Sequence, residues 1–256
     1  AMSGTPTECR VTILIKALPH RSTKHGETVC CAGVTERGEW KRLFPVRFRH
    51  LSSESSFKRW DWVTFKYVRP THDARKESCR VFEDSISIGR KLPEGERANF
   101  LAPIILPSVK AAADQGNSLA LIRPIEPRFF YKRKSMAQID KERQSYKDAA
   151  AQKSFLDPEL AAFEPSPFEF KFAFRDAYSS HEYLNGDWEA HAMFFNARNR
   201  RGLSEAEALE WMDQKFNVEY RQKGMVFAVG NQAGRPKIWQ LLGVLRVDEV
   251  TQGNLF

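Results

Sequence analysis

Cysteine is scarce in this sequence: four among 256 residues, at Cys9, Cys30, Cys31 and Cys79. They form no disulfide framework and no Cys-x-x-Cys pair, and the neighbours Cys30 and Cys31 cannot bridge each other without strain. No apolar run approaches the roughly 20 residues that span a bilayer. The longest candidate, Phe100 to Val109, is cut by Pro103 and Pro107. No charged-then-apolar leader opens the chain. These absences lead us to expect a soluble protein of a reducing cytosol, with no membrane partner. A Gly-rich phosphate loop, a Ser nucleophile elbow, an internal repeat and a low-complexity tract are missing too.

What is present is ordinary globular composition, 42% hydrophobic and 28% charged, in a chain long enough for a real core. The formal net charge is +8. Its placement is more informative than its size. Residues 1–80 hold 16 Lys and Arg against 8 Asp and Glu, and residues 81–256 are balanced at 24 against 24. The whole excess therefore sits in the first third. A concentrated basic surface attracts polyanions and speeds their capture, so nucleic acid is the expected partner, DNA ahead of RNA. A solvated basic face that only aids solubility is the alternative.

The hydrophobic periodicity predicts an α+β protein: an N-terminal small β-barrel or sandwich followed by a C-terminal α+β unit. Over residues 3–92, short strand-like stretches recur at 10–17, 28–34, 39–48, 60–68 and 80–88, with little room for helix between them. This is the expected basic, nucleic-acid-binding domain. Residues 93–165 read as a helical connecting region. There Ser135 and Gln138 form a capping box ahead of a polar helix running to about Ser154, expected as a surface excursion. Pro158, Pro165 and Pro167 mark a boundary. Residues 166–250 form an α+β domain. Phe168, Phe170, Phe172 and Phe174 alternate with polar neighbours as a half-buried strand. Ser204 and Glu207 cap a helix with the stripe Leu209, Met212, Phe216 and Tyr220, and 225–247 reads as paired strands.

Two basic-aromatic clusters are candidate nucleic-acid contacts. The first comprises Lys41, Arg42, Arg47, Arg49, Lys58, Arg59 and Trp60; the second comprises Arg128, Lys132, Arg133 and Lys134. Cations neutralise phosphates, and aromatic faces stack on unpaired bases. A loop between strands adds Lys16, Arg21 and Lys24, beside His20 and His25, as donors for an anion. A zinc set of His20, His25, Cys30 and Cys31 is disfavoured, because adjacent strand residues face opposite ways.

His181, Asp187, Glu189 and His191 are the candidate catalytic residues. If 187–191 is extended, Asp187, Glu189 and His191 share one face, and paired carboxylates with an imidazole can hold a divalent metal or move protons. That is the pattern of a magnesium-dependent nuclease, although such motifs want a Lys where His191 stands. If the segment is helical, Asp187 is an N-cap, Glu189 sits in the first turn and the constellation dissolves.

The terminal Gln252-Gly253-Asn254-Leu255-Phe256 reads as a free tail, with Gln252, Leu255 and Phe256 as docking residues. It resembles the Gln-x-x-Leu-Phe peptides by which bacterial proteins dock on the β sliding clamp. Two large apolar residues ending a chain gain most from a partner's groove. Packing back on their own domain is the alternative.

Two longer stretches resemble a family of bacterial hypothetical proteins. One runs from His25-Gly26-Glu27 through Gly38-Glu39-Trp40-Lys41-Arg42-Leu43-Phe44-Pro45 to Phe57-Lys58-Arg59-Trp60-Asp61-Trp62. The other joins His181, Asp187-Trp188-Glu189, 227–232 and Pro236-Lys237-Ile238-Trp239. The resemblance implies one two-part architecture and a bacterial or phage setting. Similar proteins carry cysteines just before the histidine, implying a metal knuckle; residues 175–180 contain none.

The leading expectation is thus a DNA-associated accessory protein, tethered to the clamp by its tail. The alternatives are a nuclease using Asp187 and Glu189 with magnesium, and a non-enzymatic inhibitor whose basic face meets an acidic protein.

Overall fold

The computed structural model describes residues 4–18, 30–47, 56–151 and 162–249. Five strands close a barrel: β1 (Thr7–Ala17), β2 (Cys30–Val34), β3 (Trp40–Phe44), β4 (Asp61–Val68) and β5 (Ser78–Lys91), in the order β1-β2-β3-β5-β4. β1 pairs antiparallel with both β2 and β4, while β3 and β5 run parallel. This is the connectivity of an OB-type barrel. Its interior is filled by Val11, Ile13, Cys31, Leu43, Val63 and Phe65. β1 and β2 approach so closely at Gly33 that a Cβ there would lie 2.2 Å from the Thr12 carbonyl oxygen, so only glycine fits.

After α1 (Glu94–Leu101), a four-stranded sheet assembles in the order β12-β11-β7-β6. Its strands are β6 (Ile105–Leu106), β7 (Leu119–Ile122), β11 (Met225–Gln232) and β12 (Arg235–Arg246). Helix α2 (Val109–Asp114) joins β6 to β7. A three-stranded sheet, β10-β9-β8, comprises β8 (Ile125–Arg133), β9 (Phe168–Arg175) and β10 (Ser180–Leu184). Residues 93–165 therefore do not stand apart as a connector. They supply two strands to one sheet and one strand to the other, because the apolar run Leu119–Ile122 finds its partner more than 100 residues later in β11.

The remaining helices among the described residues are α3 (Met136–Ala150), α4 (Trp188–Asn199) and α5 (Glu205–Gln214). The last runs on through a π turn, Lys215–Glu219, into α6 (Tyr220–Lys223). Both capping boxes read from the sequence are formed, Ser135 with Gln138 and Ser204 with Glu207. Helix α3 corrects one expectation. It is no surface excursion: Tyr146 and Ala150 are buried against the barrel core.

The four phenylalanines of β9 all point into the C-terminal core, each 5% exposed or less. They meet Phe129, Phe194, Phe216 and Phe227 at ring separations of 4.8 to 6.0 Å. Each buried ring contributes roughly 1.5–3 kcal/mol. A second apolar layer joins the halves. The outer face of β1 and β2 (Leu14, Ile15, Ala17, Ala32 and Val34) packs on Leu119, Leu121, Val226, Ala228 and Leu242. The outer surface of β1 and β2 is thus covered by the protein's own sheet.

Candidate functional site

The interface between barrel and sheet is crossed by two buried polar clamps. In the first, Arg59 spends its whole guanidinium internally. Nε donates to the Leu14 carbonyl at 3.1 Å, Nη1 to the Val244 carbonyl at 3.1 Å, and Nη2 to Asp187 Oδ2 at 2.7 Å. Burial opposes the charge on Arg59, but the carboxylates of Asp187 and Glu189 outweigh it and raise its proton affinity. Asp187 Oδ2 also accepts the Val244 N–H at 2.9 Å, and Oδ1 accepts the Glu189 N–H at 3.0 Å. The last bond is the N-cap of α4. Gly243 permits this approach: a Cβ there would lie 3.2 Å from the Leu14 oxygen and 3.6 Å from Arg59 Nη2. In the second clamp, the Glu77 carboxylate accepts from Ser118 N at 2.8 Å and Ser118 Oγ at 2.6 Å, while Arg42 Nη2 donates to the Ser118 carbonyl at 3.1 Å.

These contacts correct several expected ligand residues. Lys16, Arg42, Arg59 and Trp60 are all buried. Lys16 Nζ donates to the Phe57 carbonyl at 2.9 Å, and burial lowers its pKa, partly offset by Glu189. Trp60 adopts φ 75°, a left-handed conformation costing a non-glycine residue roughly 1–3 kcal/mol. It is pinned by Trp60 N–H to the Ile13 carbonyl, by Leu92 N–H to its own carbonyl, and by Arg97 4.6 Å over its ring.

The catalytic constellation is not assembled either. Asp187 caps a helix that begins at Trp188, so Asp187 turns into the interface while Glu189 lines a cleft. Three N–H donors fill three of the roughly four acceptor positions of Asp187. A magnesium ion bound through these oxygens would compete with the cap and the clamp. His191 is buried among Phe163, Trp188 and Phe195, at ring separations of 4.6, 5.4 and 4.5 Å, and burial pushes its pKa down to about 3. His181 lies elsewhere, on β10. Its Nε2 meets Asp176 at 2.7 Å and Ser179 Oγ at 3.3 Å, and its Nδ1 meets the Tyr183 hydroxyl at 3.1 Å. Serine and carboxylate share one ring nitrogen, whereas a nucleophilic triad needs opposite ones. Among the described residues no three His, Cys, Asp or Glu side chains are grouped to hold a metal.

Other candidates are spread over the surface. Lys41 is half-buried, 5.8 Å over the Tyr67 ring, and Arg47 pairs with Glu83 at 3.1 Å. Arg128 and Lys132 are exposed on β8, with Arg128 over Phe130. Arg133 pairs with Glu205, and Lys134 with Glu142 at 2.6 Å. Arg21, Lys24, Arg49, Gln252, Leu255 and Phe256 lie outside the described residues.

What the structure does bring together is a basic cleft between barrel and helices. Two cavities of about 540 and 420 Å³ meet at Lys58 and Glu189. The smaller is walled by Lys58, Trp60, Lys91 and Arg97 from the barrel side, and by Trp211, Lys215, Tyr220 and Arg246 from the helical side. Glu219 holds Lys215 at 2.6 Å and Arg246 at 2.7 Å, and Asp248 also pairs with Arg246, at 2.9 Å. Lys58 and Lys91 are exposed at the rim. Sequence reasoning named Lys58, Arg59 and Trp60 but missed Lys91, Arg97, Lys215 and Arg246. The even charge balance of residues 81–256 conceals that Lys91, Arg97, Lys215 and Arg246 gather around one cleft.

Residues 106–256, more than half of the chain, match the model of a family described as a domain of unknown function, DUF8757. The chain belongs to the DUF8757 family. Ahead of the DUF8757 region, residues 7–105 match a second such model, DUF8758, which covers the barrel and α1. No curated protein matches the chain. The cleft of this DUF8757 protein is therefore built jointly, with Lys58, Lys91 and Arg97 from the DUF8758 part and Trp188, Glu189 and Lys215 from the DUF8757 part. No helix among the described residues is long and apolar enough to cross a membrane.

Proposed function

We propose that this DUF8757 protein binds nucleic acid, DNA ahead of RNA, in the cleft between its barrel and its helical layer. One observation carries the reading: cations from both halves of the chain, Lys58 and Lys91 opposite Lys215 and Arg246, converge on one groove that also holds Trp60 and Trp211. Cations along a groove neutralise phosphates, and the half-buried Trp211 indole offers a face for an unpaired base. The OB-type connectivity of the barrel supports the reading by analogy alone. In this reading the covered β1–β2 surface holds the C-terminal sheet in place, and the ligand runs along the cleft.

The finer expectations belong to the same proposal. The protein works in a bacterial or phage-infected cytosol as an accessory to DNA transactions, and Gln252, Leu255 and Phe256 tether it to the β sliding clamp. A salt titration of binding to labelled single-stranded and duplex DNA and RNA tests the core claim. Affinity should fall steeply and log-linearly with salt. Absence of binding at low ionic strength overturns it. Deleting residues 252–256 should abolish clamp pull-down and leave DNA affinity unchanged.

A further inference from the structure

We propose that the larger cavity of the cleft is a pocket for a single unpaired nucleobase, drawn out of the strand that lies along the basic groove. This rests on the nucleic-acid reading above and adds what the site selects.

The cavity, about 540 Å³, is walled by one face of α4. Trp188, His191 and Phe195 stand at helical spacings of three and four residues, so their rings form one wall. The Trp188 and His191 rings are stacked at 5.4 Å with an interplanar angle of 23°, and His191 continues to Phe195 at 4.5 Å. Phe163 adds a further ring, 4.6 Å from His191. The buried imidazole is neutral near pH 7, so this wall is uncharged aromatic surface.

The remaining walls are polar. Glu189 and the amide side chains of Asn196 and Asn199 line the cavity, offering acceptors and donors together. A purely apolar ligand would leave those groups unpaired. Lys16, Lys58 and Arg200 line the cavity alongside Glu164 and Glu189, so a small free anion would meet charges of both signs. A flat ring with a hydrogen-bonding edge matches both kinds of wall, and the neighbouring cavity supplies cations for the backbone that carries it, beginning at the shared Lys58. Extrusion costs least for a base already unpaired. The pocket therefore favours bulged or single-stranded sites over continuous duplex.

The experiment compares the full chain on two labelled DNA duplexes by anisotropy, one fully paired and one carrying a single bulged base. Wild type should bind the bulged duplex about tenfold tighter, within the range of one base stacked on an aromatic side chain. Trp188→Ala should reduce the preference below about twofold, and Trp188→Phe should retain it. Thermal melting checks that each variant is folded. Should Trp188→Ala fail to fold, Phe195→Ala takes its place with the same expected loss. Equal wild-type affinity for both duplexes overturns the pocket and leaves the nucleic-acid reading standing. A preference that survives in the folded aromatic variants overturns it as well. No binding of either duplex at low salt overturns both.

Discussion

The Arg59 guanidinium and the Asp187 carboxylate meet at 2.7 Å across 128 residues of sequence, with side chains 10% and 2% exposed. One pair of atoms thereby joins the barrel, the N-terminus of α4 and strand β12. Removing one partner of such a pair leaves a buried charge uncompensated. Asp187→Ala should cost about 3–5 kcal/mol in urea unfolding. Glu189→Ala, which leaves both clamps intact, should cost under about 1 kcal/mol. Near-wild-type stability of Asp187→Ala would show that its carboxylate does not hold the halves together.

The second clamp predicts a smaller effect. Ser118→Ala removes the hydroxyl that donates to Glu77 at 2.6 Å and leaves the backbone bond at 2.8 Å. Loss of one hydrogen bond to a buried carboxylate should cost about 1.5–3 kcal/mol by chemical denaturation. Ser118→Thr keeps a hydroxyl and should recover part of it. An unchanged midpoint for the alanine variant would exclude the role.

His191 gives the protein a pH dependence with a definite sign. Its folded pKa of about 3 lies below the ordinary 6.5, because burial disfavours the imidazolium. The unfolded chain takes the proton first. Stability is therefore fully present above pH 6.5 and is lost as pH falls toward 3. The loss between pH 7 and 5 should be about 2 kcal/mol, a window above the carboxylates whose pKa values are depressed. His191→Phe should flatten that slope in urea titrations. The same slope in the variant would assign it to another group.

Binding should follow the cleft and not the β8 surface. Lys58→Glu with Lys91→Glu should weaken DNA binding at moderate salt and lower the slope of log affinity on log salt by about 2, one per lost phosphate contact. Both lysines are exposed, so melting temperature should hold. Reversing Arg128 and Lys132 on the outer face of β8 should leave affinity within about twofold. The opposite ranking in anisotropy measurements would move the interface to β8.

Much of the fold was legible because local physics leaves a local trace. The five barrel strands follow the apolar stretches between residues 7 and 91, and Ser135 and Ser204 announce their helices through capping chemistry. Asp187 was readable as a cap, and the helix it starts dissolved the alternative constellation with Glu189 and His191. The weak alternation of β1 also had a meaning. Residues 11–17 are buried on both faces, one toward the barrel interior and one toward the second sheet. A strand buried twice reads as a nearly continuous apolar run.

The fate of the cations was not legible. The sequence by itself determined that the net charge is +8 and that the excess belongs to the first 80 residues. Only the tertiary structure decided which cations face water. Arg42 and Arg59 are drawn inward because Ser118 and Asp187, far along the chain, arrive with acceptors at hydrogen-bonding distance. Lys58 and Lys91 are left at the rim, where Lys215 and Arg246 join them across the cleft. Coulombic attraction depends on separation in space and on the solvent excluded from between the charges, and the order of residues along the chain specifies neither until the fold is made.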